Sequence, residues 1–489
     1  MTKLKIINNW IEGDESNVAN GEKYEKINPH TGEISSYYVG SSDIEVKVAI
    51  DVAQSNYEKW SKTTPVARGN AIANWVNLLR ENKQQLADII AIETGKPPND
   101  ALGEVNAAII QGDFFAGEGM RMYARSLTSG MVNKYSHTVR QSIGVAGLIV
   151  PANTPIANIA WKIFPALICG NTVVLKASED APYIALKLAQ LSKESGLPDG
   201  VFNVIQGKGD PAGKALVEDT RVAIISFTGS TNVGKWIAEV AGRRLARVSL
   251  ELGGKNPFVV CDDSDLDEAV HWASLSAFSN AGQRCASGSR IIVFEEVYDI
   301  FIKKLIEKAN SLKLGVDRDC DLGPVINKNQ YTNIIAAIER AKHDGGNILC
   351  GGKIVTTKHL NNGFYVQPTL ISELPENAEL CSLEVFGPVA IVQKVKNLTH
   401  ALDVSNNTEY GLTAAIHTRN VDKAMWFAQN VRAGTVNINI GTFGSEPHMP
   451  FGGYGASGNG TREPGVEALD VYSEIKNISF LVRDAGFNK

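Results

Sequence analysis

From residue 143 onward, short apolar runs alternate with helix-like segments, and this alternation constrains the fold more than any other feature. GVAGLIVP, NTVVLKAS, VFNVIQG and VAIISFTGS read as strands. Helical patterns at 156–167, 182–195, 211–217 and 232–241 separate them. A strand that is apolar along its whole length is covered on both faces, and strands separated by helices run parallel. NPFVVCD, SRIIVFEEV, TAAIHT and GTVNINI, with helical stretches at 266–278, 298–312 and 331–343, repeat the pattern. The expected fold class is therefore α/β, with two Rossmann-like doubly wound parallel sheets. Residues 41–122 read as largely helical, with apolar residues at three- and four-residue spacing. Two stretches, 132–142 and 471–481, alternate like exposed edge strands and point to pairing with another subunit.

A length of 489 residues requires more than one core. The net charge of −5 gives no reason to expect nucleic acid or an anionic membrane as partner. No apolar run is long enough to span a bilayer, and the N-terminus MTKLKIINNWIEGDES lacks the apolar stretch of a secretory signal. A cytoplasmic location is the expectation. Six cysteines form no C-x-x-C pair and no zinc spacing, so neither a disulfide framework nor a metal is expected.

Phosphate-binding signals are local. The G-x-G-x-x-G at Gly453, Gly455 and Gly458 opens no helix and reads as a flexible turn. Gly207-Lys208-Gly209 follows a strand and is a weak candidate. The stronger piece is Phe227-Thr228-Gly229-Ser230-Thr231-Asn232-Val233-Gly234, which ends a strand and opens a helix. Gly229 allows the turn, Ser230 caps, Gly234 permits close approach, and free N–H groups there suit a pyrophosphate. An ordinary capped turn is the competing reading. Lys176 and Glu179 close another strand, where a carboxylate accepts both hydroxyls of an adenosine ribose and repels a 2′-phosphate. That favours NAD over NADP, against the alternative of a surface charge pair.

Together these segments resemble the aldehyde dehydrogenase superfamily, essentially from end to end. The carrying motifs are Pro151–Pro155, Lys176–Glu179, Phe227–Gly234, Glu251–Lys255, Gly282–Cys285, Glu384–Pro388 and Pro450–Gly453. The resemblance implies a nicotinamide-cofactor domain from 1–125 and 143–250, and a catalytic domain from 251–450. It also implies a small antiparallel oligomerisation element from 126–142 and 465–489, forming a homodimer or homotetramer. Cys285 becomes the nucleophile that adds to an aldehyde, Asn153 with the Cys285 N–H the oxyanion site, and Glu251 the activator of water. Phe227–Gly234 would lie near the pyrophosphate, Lys176 and Glu179 on the adenosine ribose, Glu384 on the nicotinamide ribose and Phe386 beside the nicotinamide. Hydride cannot leave an aldehyde carbon readily until a nucleophile has made a tetrahedral alkoxide, which is the reason for a thiolate. The presence of Glu251 favours water, rather than coenzyme A, as the acyl acceptor.

The chain departs from the family beside Asn153, where Ala152 and Thr154 replace the usual aromatics. A wider or more polar tunnel follows, with a substrate that is acidic, semialdehyde-like or sugar-derived. Arg284, immediately before the nucleophile, is a candidate anion anchor, against a purely structural role. His448 and Phe451 are candidates for the tunnel mouth. The alternatives to an NAD-dependent aldehyde oxidiser are a cofactor-independent thiol esterase and a non-catalytic protein that has kept the fold. The first lacks a motif histidine to serve as base, and the second is disfavoured by the presence of Cys285, Glu251 and Asn153 together.

Overall fold

The structure is a computed structural model, and it describes residues 4–18, 21–357 and 360–483. The part of the 465–489 segment beyond residue 483 lies outside the described residues. Two seven-stranded sheets organise the chain. The first runs in the order Arg247–Glu251, Val222–Thr228, Val145–Ile149, Thr172–Lys176, Phe202–Ile205, Asn9–Ile11 and Asp14–Ser16. Its first five strands are parallel, and Asn9–Ile11 joins antiparallel. The central strands are almost wholly buried, as their continuous apolar sequence requires. Helices cover both faces, including Pro155–Ile168, Pro182–Glu194 and Thr231–Gly242.

The second sheet runs Asn347–Cys350, Thr369–Ser372, Val389–Val395, Arg290–Phe294, Pro257–Val260, Thr413–His417 and Thr435–Ile438. Only Asn347–Cys350 is antiparallel. The two-sheet α/β expectation holds. The N-terminal strands, Thr369–Ser372 and Val389–Val395 were not anticipated, because their apolar runs are short and broken by polar residues. The helical region resolves into Asp43–Lys62, Pro65–Glu81, Lys83–Thr94 and Pro98–Glu118. No helix among the described residues is long and apolar enough to cross a membrane.

One expectation is corrected. Lys134–Ser142 is not an edge strand: it lies between Ser473–Leu481 and Ser126–Leu127 in a three-stranded antiparallel sheet. Alternation showed that one face is exposed, but not which strands flank it. Ser473–Leu481 is the open edge, with Ile475, Ile478, Phe480 and Leu481 exposed.

The C-terminal segment returns to the first sheet through buried charges. Lys162 Nζ donates to Glu463 Oε2 at 2.8 Å and to Ser226 Oγ at 2.7 Å. Tyr472 OH donates to Glu463 Oε1 at 2.9 Å. Lys162 and Glu463 are at most 1% exposed, so removing either leaves an uncompensated buried charge. Lys162→Met is expected to destabilise the protein by about 3–5 kcal/mol in denaturant unfolding, and Lys162→Met with Glu463→Gln by less than the sum.

Candidate active site

The carboxyl ends of the first sheet face the second domain across a cleft of about 1060 Å³. Strand register brings Lys176 level with Ile149 and Ile205, and Thr228 level with Glu251. Asn153, Gly229, Ser230, Glu251, Arg284, Cys285, Glu384, Phe386 and Phe451 line the cleft. Lys176, Glu179, Gly209, Phe227 and Gly234 do not line it. Gly209 opens the π-helical turn Gly209–Gly213, and the Phe227 ring packs beneath Gly229. His448 is exposed and outside the lining, 3.9 Å from Glu446; Ser445, Glu446 and Pro447 face the cleft at that loop.

Cys285 is half-buried behind an unusual backbone. Asn280, Ala281 and Gly282 all have left-handed φ, between 53° and 68°. For Ala281 this conformation costs about 1–2 kcal/mol, so surrounding bonds must hold it. Gln283 supplies several: its Oε1 accepts from Ile326 N at 2.9 Å, and its carbonyl accepts from Asn153 Nδ2 at 2.9 Å. Burial, then the Glu384 and Glu251 carboxylates, push the Cys285 thiol up to about 12. The Ala286 N–H, donating to sulfur, and the Arg284 charge oppose that rise.

Asn153 is held from three sides. Its carbonyl accepts from Lys96 Nζ at 2.8 Å and Asn280 Nδ2 at 3.1 Å, and its Oδ1 accepts from Asn158 Nδ2 at 3.2 Å. Gln283 takes one hydrogen of its amide, which leaves the second for an oxygen in the cleft. Lys96 also pairs with buried Glu104, whose Oε1 accepts from Ile156 N at 3.0 Å at the start of Pro155–Ile168. Of the two departures beside Asn153, only Thr154 faces the cleft; Ala152 belongs to the core.

Glu251 ends its strand 3% exposed, with neither carboxylate oxygen hydrogen-bonded. Burial, reinforced by Glu463, raises its pKa well above the carboxylate range, and Lys162 and Arg462 oppose this. The chain then turns through Gly253 and Gly254, where there is no room for side chains. A Cβ on Gly253 would lie 2.1 Å from Glu384 Oε2, and one on Gly254 would lie 2.4 Å from the Cys285 carbonyl oxygen. Gly254 N donates to Glu384 Oε1 at 3.0 Å, while burial raises the Glu384 pKa to about 7.

The residues fit a dinucleotide. Ser230 Oγ caps Val233 N at 3.4 Å, while the N–H groups of Thr231 and Asn232 have no partner among the described residues. Such donors suit phosphate oxygens. Gln330 Nε2 donates to the carbonyls of Val385 and Phe386 at 2.8 and 2.9 Å, fixing Phe386 at a φ of 54°. Lys176 Nζ lies 2.8 Å from Glu179 Oε2; burial pushes the Glu179 carboxyl up, but Lys176 holds it below its usual range.

On the opposite side, Trp161 and Phe451 pack at 5.4 Å between ring centroids, and Arg284 sits 5.1 Å from the Phe443 ring. The Arg284 guanidinium makes no hydrogen bond and has no carboxylate within 4 Å among the described residues, although Asp100 and Glu104 act on it at longer range. Gln111 Nε2 and Ser445 Oγ are also buried without partners. Sequence reasoning missed Lys96, Glu104, Gln111, Asn158, Asn256, Lys162 and Glu463. Their partners lie up to 301 residues away, as for Lys162 and Glu463, so no local pattern marks them.

A thiol, a buried carboxylate and an amide donor thus open onto one cleft that fits a dinucleotide. Residues 17–478 match the model of the aldehyde dehydrogenase family, and the chain belongs to that family. It is an NAD(P)-dependent aldehyde dehydrogenase. Mouse retinaldehyde dehydrogenase 3 is 38% identical, over 99% of this chain and 93% of its own. The α-ketoglutaric semialdehyde dehydrogenase of Bacillus subtilis is 34% identical, over 98% and 99%. The structure of Staphylococcus aureus betaine aldehyde dehydrogenase in complex with NAD+ superposes with a TM-score of 0.95 at 31% identity, over 99% and 97% of the two chains.

The two free oxygens of Glu251 give a pH-dependent stability. Its folded pKa is raised, so the protonated form favours folding. That contribution is complete below the unfolded value of about 4.3 and is lost as pH rises through the folded one. Glu251→Gln should therefore match the parent in melting temperature near the acidic end and exceed it increasingly toward pH 8 (roughly the alkaline limit of the native range), as checked by calorimetry across that range.

Proposed function

We propose that the enzyme oxidises an aldehyde to a carboxylic acid with NAD, using Cys285, Asn153 and Glu251 in the roles that the resemblance implies. The carrying observation is that a half-buried thiol, an amide with one uncommitted N–H and a carboxylate with two uncommitted oxygens open onto one cleft. The Cys285 thiol releases its proton to solvent, and the thiolate sulfur bonds to the carbonyl carbon. The carbonyl oxygen becomes an alkoxide, held by the free Asn153 N–H and the Cys285 backbone N–H. When bound, NAD supplies the oxidising power by accepting the hydride from that carbon. Glu251, once ionised, takes a proton from water, whose oxygen attacks the thioester. The C–S bond breaks, the acid leaves and the thiol is restored.

Ser230, Gly229, Gly234 and the open helix start serve the pyrophosphate in this reading, with Phe227 and Gly209 shaping the turns around it. Glu384 serves the nicotinamide ribose and Phe386 flanks the nicotinamide. Lys176 and Glu179 take the adenosine ribose, and the Glu179 carboxylate favours NAD over NADP. The cofactor domain comprises 1–125 and 143–250, the catalytic domain 251–450, and the oligomerisation strands 126–142 and 465–489. A homodimer or homotetramer would cover the apolar edge strand Ser473–Leu481. Six free thiols suit a reducing cytoplasm. Asn153→Ala should lower kcat by about 10²–10³-fold with a smaller change in KM, measured by NADH formation. Hydrolysis of an ester without cofactor, with no NADH formed from any aldehyde, would favour a thiol esterase instead.

The substrate we propose carries oxygen acceptors, a carboxylate above all, away from its aldehyde. Support comes from three unpartnered polar groups on the cleft wall: Arg284 Nε, Gln111 Nε2 and Ser445 Oγ. An Arg fork suits a planar carboxylate. The Bacillus subtilis relative is named for such a substrate. Arg284→Leu should reduce the kcat/KM preference for dicarboxylic semialdehydes over uncharged aldehydes of equal length by about 10–100-fold, as expected for a lost charged hydrogen bond. An unchanged ratio would remove the anchor.

A further inference from the structure

We infer that Asn256 is a positioning residue for the nucleophile: its amide fixes the peptide between Cys285 and Ala286 so that the N–H of that peptide faces the Cys285 sulfur. This rests on the assignment of Cys285 as nucleophile.

Asn256 is 1% exposed and sits one residue before the strand Pro257–Val260. Its Nδ2 donates to the Cys285 carbonyl at 2.7 Å and to the Ser287 carbonyl at 2.8 Å. Its Oδ1 accepts from Thr413 N at 3.0 Å, which fixes the sense of the amide. Both amide hydrogens are therefore spent on the loop that follows the nucleophile. Gly254 lies against the same carbonyl and the Asn256 amide, because a Cβ there would be 2.4 Å from that oxygen and 2.9 Å from Asn256 Nδ2. A peptide unit is planar and trans, so its C=O and N–H point in opposite directions. Holding the Cys285 carbonyl against Asn256 directs the Ala286 N–H away from Asn256, and that N–H favours the thiolate. A hydrogen bond to the charged form stabilises a thiolate.

That donor matters because most other influences on the sulfur oppose ionisation. Burial disfavours the thiolate, and the Glu384 and Glu251 carboxylates face it with like charge. Only the Ala286 N–H and the Arg284 guanidinium act in its favour. Asn256 touches neither the substrate side nor the sulfur, and it does not line the cleft. It acts through one peptide bond.

The test is the rate of iodoacetamide alkylation at Cys285 against pH, without cofactor or aldehyde, with Cys285→Ala as the blank for the other thiols. Asn256→Leu keeps the size of the side chain and removes both donors. It should slow alkylation about tenfold at each pH below the thiol's ionisation, equivalent to an upward shift of one pH unit. Asn256→Ser, with one donor, should recover part of the rate and covers the case in which the leucine variant does not fold. A pH profile superimposed on that of the parent, with or without a lower melting temperature, would overturn the inference and leave Asn256 a structural residue. The assignment of Cys285 fails separately: it falls if Cys285→Ala oxidises aldehydes at the parental rate, whatever the Asn256 variants do.

Discussion

Two missing side chains hold this active site together. Gly253 and Gly254 let the turn after Glu251 press against the Glu384 carboxylate and the Cys285 carbonyl, where a Cβ would clash at 2.1 and 2.4 Å. Six consecutive residues, from Glu251 to Asn256, thereby set the relative positions of the Glu251 and Glu384 carboxylates and the Cys285 thiol. The strand Arg247–Glu251 belongs to the first sheet and Pro257–Val260 to the second, so this segment also joins the two sheets.

The site maintains groups in states that water would not allow. Glu251 is buried with no donor, Glu384 is raised to about 7, and the Cys285 thiol is raised to about 12. Ala281 adds a strained backbone beside the nucleophile. Each of these is unfavourable for folding alone. The surrounding closed pairs, Lys96 with Glu104 and Lys162 with Glu463, anchor the elements that carry them. Burial without a donor favours the neutral form of Glu251, so its ionisation is tied to the pH of the medium.

The two parallel sheets were legible because buried parallel strands are apolar along their length. VAGLI, TVVLK and FNVI need no partner to be recognised. Edge status was not legible: Lys134–Ser142 alternates like an edge strand and yet lies in the middle of its small sheet, since one neighbour, Ser473–Leu481, comes from far along the chain and the other, Ser126–Leu127, is only two residues long. Within the site, Cys285, Glu251 and Asn153 were read through motifs, each a short local pattern. Residues that support them carry no such pattern. Glu463 is 301 residues from Lys162, and Gln111 sits in an unremarkable helix. Thr154 lines the cleft whereas Ala152 belongs to the core, a distinction that one-letter adjacency cannot make.

The most direct test is to catch the acyl group where the account puts it. Glu251→Gln enzyme, mixed with NAD and a good aldehyde, then acid-quenched and digested, should carry one adduct on the Cys285 peptide. Its mass should be that of the aldehyde less two hydrogens, as a thioester requires, and it should accumulate because water is not activated. An adduct on another residue, or full acid formation by this variant with no adduct on Cys285, would contradict the account.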